Sequence, residues 1–163
     1  MRTAIAIGIL GLALTSQEAA AQTAVEHAQI VRDFEQSVLD YTAKHHCLAM
    51  FPAAIHAATT RAPKIFTLPV ALVFRQMISR ALVGHAGESN IFGVGIAHRA
   101  TVLEPFPGTD LYDFPERLAD ALPVLPAPLE YRLIFNDLVI RDTQAGIIVA
   151  VLRDAVGTIT TTR

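Results

Sequence analysis

The sequence predicts an α+β fold in which two N-terminal helices pack on a small antiparallel sheet that ends in a C-terminal three-stranded meander. Three observations support this prediction. Apolar residues recur at steps of three and four through residues 25–48, as in an amphipathic helix. Helix-start signals at Thr67 precede a second such pattern. Apolar and polar residues alternate through residues 129–135, and two turn sequences separate the apolar segments that follow, which is typical of hairpins.

The first 21 residues have the features of an export signal. One positive charge precedes the apolar run Ala4–Leu14, and Ala19 and Ala21 form the small-residue pattern that comes before a cut ahead of Gln22. The run is shorter than the roughly 20 residues that a membrane-spanning helix needs. We therefore expect residues 1–21 to be a cleaved signal peptide rather than an anchor, and the protein to be periplasmic or secreted.

The rest of the chain has the length and composition of one domain. We expect a single α+β domain over residues 22–156, followed by a polar tail over 157–163, with no membrane span after cleavage. The formal net charge of −2 argues against a nucleic-acid partner, which would require a basic surface. Cys47 is the single cysteine, so no internal disulfide forms and stability has to come from the apolar core. Cys47 is then a free thiol, a partner in an intermolecular disulfide, or a buried small residue.

Two helices are predicted ahead of the sheet. The first covers residues 25–48, with one apolar stripe formed by Val31, Phe34, Val38, Tyr41, His45 and Leu48. The second runs from about Leu68 to Val83, since Thr67 suits the N-cap and Pro69 suits the first turn.

The second half of the chain favours strands with one short helix between them. We expect a glycine-interrupted strand over residues 91–103 and a short helix over 115–122 for which Asp113 is a candidate cap. The meander follows, in the order strand 129–135, turn 136–137, strand 138–142, turn 143–146 and strand 147–152.

The segment over residues 122–156 resembles the end of a family of small exported bacterial proteins to which no activity is assigned. The resemblance depends on "LEYR" at 129–132 and "DLVIRD" at 137–142, and extends more loosely to 64–78. It implies export and an intact domain, and it carries no activity and no site. The meander alone is also similar to short β-modules of small periplasmic proteins, some of which are associated with nickel and cobalt homeostasis.

Six histidines are candidate metal ligands: His27, His45, His46, His56, His85 and His98. Two ligands on one helix must stand three or four residues apart to share a face. Neither His45 nor His46 has a strong ligand for a zinc-like metal at that spacing, although Met50 suits a soft ion such as Cu(I). We therefore assign no metal-ligating residue, and leave open whether distant histidines converge in the fold.

Nucleophilic catalysis has no clear signature. Cys47 would lie near a helix C-terminus, where the partial negative charge opposes thiolate formation. Ser89 lies in a glycine-containing loop near His85 and Glu88, but the G-x-S-x-G elbow is absent. We assign no catalytic and no cofactor-binding residue, and expect no cofactor.

Two groups of charged residues remain. Four carboxylates surround the short helix, and the spacing of Asp113 and Glu116 indicates a capping pair; the four are Asp110, Asp113, Glu116 and Asp120. On the meander we expect cross-strand Arg–Asp pairs on a solvent-exposed face, with a binding surface there as the alternative; the residues are Tyr131, Arg132, Asp137, Arg141 and Asp142.

These observations favour a non-catalytic periplasmic domain that binds or scaffolds a protein or small molecule through its first helix and its meander. The alternative is a small periplasmic metal-binding or metal-homeostasis protein that uses scattered histidines. A hydrolase without a recognisable motif is the third hypothesis.

Overall fold

A computed structural model of the chain describes residues 10–48, 64–83, 99–106 and 114–157. Within these ranges it contains three helices and a three-stranded antiparallel sheet, which confirms the α+β class. In chain order the elements are α1 (Leu10–Leu48), α2 (Leu68–Ala81), α3 (Glu116–Ala121), β1 (Leu129–Ile134), β2 (Asp137–Asp142) and β3 (Ile147–Leu152).

Helix α1 begins at Leu10, well ahead of the predicted start near residue 25. The added segment is rich in alanine, the residue with the highest helix propensity, so the helix continues through the expected cleavage point. Among the side chains described for α1, those of residues 20–44, the predicted stripe is confirmed: Phe34, Val38 and Tyr41 are buried. The side chains of His45 and Leu48 lie outside the described set.

Helix α2 confirms the second predicted helix. Thr67 is its N-cap in an extended conformation, and its carbonyl accepts a hydrogen bond from the Ala71 amide at 2.8 Å. The Thr67 hydroxyl makes no capping bond, so the predicted position is right while the side-chain cap is absent. The helix ends at Ala81, slightly before the predicted Val83, and the buried residues of its apolar face include Ala71, Phe74 and Ile78.

The meander has the strand order β1-β2-β3, and its third strand has the predicted limits. The first turn lies one residue earlier than predicted, at Phe135–Asn136, because Ile134 pairs with Asp137. Phe135 takes the positive φ of 55° that this turn requires. The second turn, 143–146, is confirmed and ends on Gly146 at φ +69°, a conformation that glycine adopts without strain.

The segment 99–106, which we call the edge segment, replaces part of a predicted strand. Residues 91–98 of that prediction lie outside the described residues, and residues 99–103 are not a strand. A turn interrupts them, with the Glu104 amide bonded to the Thr101 carbonyl at 3.3 Å. Beyond it the segment follows the edge of β3: the Leu103 amide donates to the Ile148 carbonyl at 2.8 Å and the Phe106 amide to the Gly146 carbonyl at 2.9 Å.

The sheet has two dissimilar faces. The main cluster of buried residues joins α1, α2 and α3 to one of them, the helix-side face, through residues that include Phe34, Phe74, Leu118, Leu138 and Ile140. A smaller cluster of Ala100, Val139 and Ile148, with Phe106, Ile134 and Val151 beside it, lies on the other, the second face. Each fully buried side chain of this size stabilises the fold by roughly 1.5–3 kcal/mol, so the larger cluster dominates the stability.

Candidate functional site

Asp142 of the meander is a buried structural residue. It is 1% exposed, and its Oδ2 accepts a hydrogen bond from the Tyr41 hydroxyl at 3.0 Å. Its Oδ1 accepts from the amides of Gln144 and Ala145, at 2.9 and 2.8 Å. The carboxylate therefore ties α1 to the turn between β2 and β3. Burial foremost, and then the Asp142 charge and hydrogen bond, raise the pKa of the Tyr41 phenol.

Asp137 has a similar role at the other end of β2. Its Oδ2 accepts a hydrogen bond from Arg153 at 2.5 Å, and its Oδ1 accepts from the Asp154 amide at 2.9 Å. Arg153 also donates to the Ala100 carbonyl, and its own carbonyl accepts from Arg75 of α2 at 2.8 Å. This network joins the end of the meander to the edge segment and to α2.

Tyr131 is buried on the helix-side face and has a structural role as well. Its hydroxyl donates to the Pro123 carbonyl at 3.0 Å, and its ring stacks on Phe114 at 5.9 Å between centroids. Burial foremost, and then the Glu35 charge, raise the pKa of this phenol. The Tyr131 side chain therefore holds Phe114 and Pro123, which precede β1 in the chain, against the sheet.

The prediction of cross-strand Arg–Asp pairs on a solvent-exposed face is therefore wrong. Both aspartates are buried, and backbone amides and side chains distant in the sequence donate hydrogen bonds to their carboxylates. The residue that does pair across the strands is Glu130, which stands opposite Arg141 in the β1–β2 register.

Glu130, Arg132, Arg141 and Phe106 form what we call the arginine cluster. The Glu130 carboxylate accepts hydrogen bonds from Arg132 at 3.0 and 2.9 Å and from Arg141 at 3.1 Å. The Arg141 guanidinium also lies over the Phe106 ring, 4.7 Å from its centroid. Two guanidinium groups against one carboxylate leave the arginine cluster with one net positive charge.

The arginine cluster is held in place and still reaches solvent. The side chains of Arg132, Arg141 and Glu130 are 21%, 19% and 27% exposed. The Arg141 Nε is buried and has no hydrogen-bond acceptor within the described ranges. Guanidinium groups fixed by a carboxylate and a ring are preorganised to bind carboxylate or phosphate oxygens. The sequence prediction named both arginines but missed Glu130 and Phe106. The available signal was Glu130 inside "LEYR", two residues before Arg132 and therefore on the same strand face; its place opposite Arg141 depends on the observed turn.

Most of the candidate metal ligands lie outside the described residues. Of the six histidines, His27 has a described side chain, which is half-buried on α1. The backbone of His45, His46 and Cys47 belongs to the last turn of α1, but their side chains are not among those described. His56, His85 and His98 lie outside the described ranges, as do Glu88 and Ser89. The described residues contain no group of three or more His, Cys, Asp or Glu that could hold a metal ion.

The N-cap of α3 is not at the predicted residue. Pro115 occupies the N-cap position and makes no side-chain bond, so the prediction that Asp113 caps this helix is wrong. Glu116 lies in the first turn, where a negative charge favours the helix N-terminus. Asp120 is exposed, and Asp110 and Asp113 lie outside the described residues.

The comparisons with known proteins give no relative. No family model, no curated protein and no solved structure matches the chain. The resemblance of residues 122–156 to a family of exported proteins therefore stays a prediction. Within the part of the chain that the structure describes, no helix combines the length and apolar character needed to cross a membrane.

Proposed function

We propose that the protein is an exported, non-catalytic domain that binds an acidic surface of a protein partner through its arginine cluster. In this proposal α1 and α2 pack on the helix-side face and brace the sheet, while residues 1–21 direct export and are removed ahead of Gln22. The periplasm or the exterior is then the place of action.

One observation carries the proposal: the charged groups of the meander divide into two kinds. The carboxylates of Asp137 and Asp142 are buried and occupied by internal hydrogen bonds. Arg132 and Arg141 instead share a single acceptor, Glu130, and remain partly exposed. A carboxylate from a partner would gain charge-assisted hydrogen bonds there without breaking a bond that the fold needs.

The buried carboxylates of the meander also argue for binding rather than catalysis. A general base needs access to a substrate, and Asp142 and Asp137 are 1% and 6% exposed. Their partners are the backbone amides and side chains that hold the fold together, so moving a proton there would loosen the structure.

The test is capture of a partner from the exported protein fraction. The immobilised mature form should retain a partner, and the Arg132→Ala/Arg141→Ala variant should lose most of it. Because the contact is electrostatic, retention should also fall as salt rises. Arg80→Ala removes an exposed arginine from the far end of α2 and is the matched control, expected to retain the partner.

Recovery of the bait alone would contradict the proposal, as would equal retention by the double variant and the wild type. The export part has its own readout, the N-terminal residue of the exported protein. Intact mass should place it at Gln22, and an exported protein that keeps residues 1–21 would contradict cleavage.

A further inference from the structure

β1 is an edge strand of the sheet, and the pairing to β2 fixes which of its backbone groups point outward. The Thr143 amide donates to the Pro128 carbonyl at 3.0 Å, just before the strand begins. Hydrogen-bonded positions alternate along an antiparallel pair. Glu130, Arg132 and Ile134 therefore direct their amides and carbonyls to β2. Leu129, Tyr131 and Leu133 direct theirs to the outer side.

The outer side of β1 offers free backbone groups. The Leu129 amide confirms the outward direction, because it bonds the Pro126 carbonyl at 2.9 Å instead of β2. The outward groups of Tyr131 and Leu133 have no hydrogen-bond partner within the described ranges. The opposite edge differs, since the edge segment covers part of β3. An uncovered strand edge is a template for pairing with another strand.

The sequence of β1 is complementary to itself in one antiparallel register. If two copies pair with Tyr131 opposite Tyr131, Glu130 of each copy faces Arg132 of the other, and Leu129 faces Leu133. The outward groups of Tyr131 would then bond those of Tyr131 in the other copy, and the Leu133 amide would donate to the Leu129 carbonyl of the other copy. The Leu129 amide keeps its bond to the Pro126 carbonyl. Opposite charges that face each other across strands stabilise pairing, whereas like charges oppose it.

Opposite charges already face each other across strands within one copy of the chain. Glu130 faces Arg141 across β1 and β2, and the two side chains bond at 3.1 Å. In the register centred on Tyr131, Glu130 would stand between Arg141 of its own chain and Arg132 of the second copy. The charges along this row alternate in sign, and symmetry gives a second identical row.

We propose that two copies of this chain associate by antiparallel pairing of β1 with β1, centred on Tyr131, to form one continuous six-stranded sheet. This interaction goes beyond the partner binding proposed above. It needs no other molecule, so the purified protein tests it directly.

The test is a charge swap read by sedimentation equilibrium of the purified protein. The wild type should be a reversible dimer. Glu130→Arg alone and Arg132→Glu alone each place like charges opposite each other twice, and should raise the dimer dissociation constant by about tenfold or more. An equal mixture of the two single variants, and the Glu130→Arg/Arg132→Glu double variant, restore opposite charges and should dimerise again.

A second measurement uses the wild type alone and does not depend on a variant that folds. Hydrogen exchange at the Tyr131 and Leu133 amides should slow as protein concentration rises. The Glu130 and Arg132 amides, which bond β2, are the internal controls and should be protected at every concentration.

A wild type that stays monomeric at all concentrations, with no change in exchange at Tyr131 and Leu133, would overturn the proposal. Dimerisation that neither single variant weakens would also overturn it. A wild type that stays monomeric but captures a partner would contradict the β1 pairing and support the proposed function. A wild type that dimerises but captures no partner would support the pairing and contradict the proposed function.

Discussion

The two faces of the meander contain similar residue types and use them differently. On the helix-side face, Asp142 and Tyr131 are buried, and hydrogen bonds within the fold satisfy their polar atoms. On the second face, the arginine cluster shares one carboxylate and stays partly exposed. The comparison shows that charge alone does not mark a binding surface. What distinguishes the two sets of residues is whether the fold itself already uses each polar group.

The largest effect on stability is expected from a cavity in the helix-side core. Phe74 is 1% exposed and its ring lies 4.6 Å from that of Phe34 between centroids. Phe74→Ala should lower the free energy of unfolding by about 3–5 kcal/mol, because it removes contacts and leaves a cavity. Denaturant unfolding measures this. Val124→Ala, at a residue 89% exposed, is the control and should change little.

A smaller effect is expected from the bond between α1 and the meander. Tyr41→Phe removes the hydroxyl that donates to the Asp142 carboxylate. It should cost about 1.5–3 kcal/mol of unfolding free energy, the usual range for a hydrogen bond to a charged group. Tyr131→Phe removes a bond to a neutral carbonyl and should cost about 1 kcal/mol. Equal losses of unfolding free energy in the two variants would show that the Tyr41–Asp142 hydrogen bond is not stronger than the Tyr131–Pro123 hydrogen bond.

The free energy of unfolding should fall gradually at alkaline pH, because two buried tyrosines lie on the helix-side face. The pKa values of Tyr41 and Tyr131 are both raised in the folded protein, whereas the pKa of a phenol in the unfolded chain is about 10. Their contribution to stability is therefore complete below about pH 10 and falls as pH rises further, since the unfolded chain releases these protons first.

Denaturant unfolding at increasing pH, with phenolate absorbance as a second signal, measures this effect. The Tyr41→Phe/Tyr131→Phe variant is the control, and its stability should fall less steeply above pH 10. Ionisation of Tyr41 and Tyr131 near pH 10 while the protein stays folded would contradict their burial.

The local pattern of the sequence predicted the elements better than the pairing of polar groups. Thr67 and Pro69 located α2, and the second turn located the start of β3 to the residue. The burial of Asp142 could not be predicted from its neighbours, because its Tyr41 partner is 101 residues away. A tyrosine on an apolar helix stripe does need a hydroxyl partner, and that was the available hint.

Two further differences have local causes. The predicted strand at 99–103 gives way to a turn with Leu103 at φ 71°, which periodicity does not reveal. The first hairpin turn moved by one residue because Asp137, an apparent turn former, bonds Arg153 and the Asp154 amide from within β2. Tertiary bonds thus override turn preference at this position.

We expect the buried carboxylate of Asp142 to be needed for stability, and the arginine cluster not to be needed for it. The most direct test is the change in unfolding free energy of Asp142→Ala set against that of Arg132→Ala, measured under identical conditions. Asp142→Ala leaves buried donors without an acceptor and should cost at least about 2 kcal/mol. Arg132→Ala removes a partly exposed pair and should cost under about 1 kcal/mol. Equal costs, or a larger cost for Arg132→Ala, would contradict the division between the two faces.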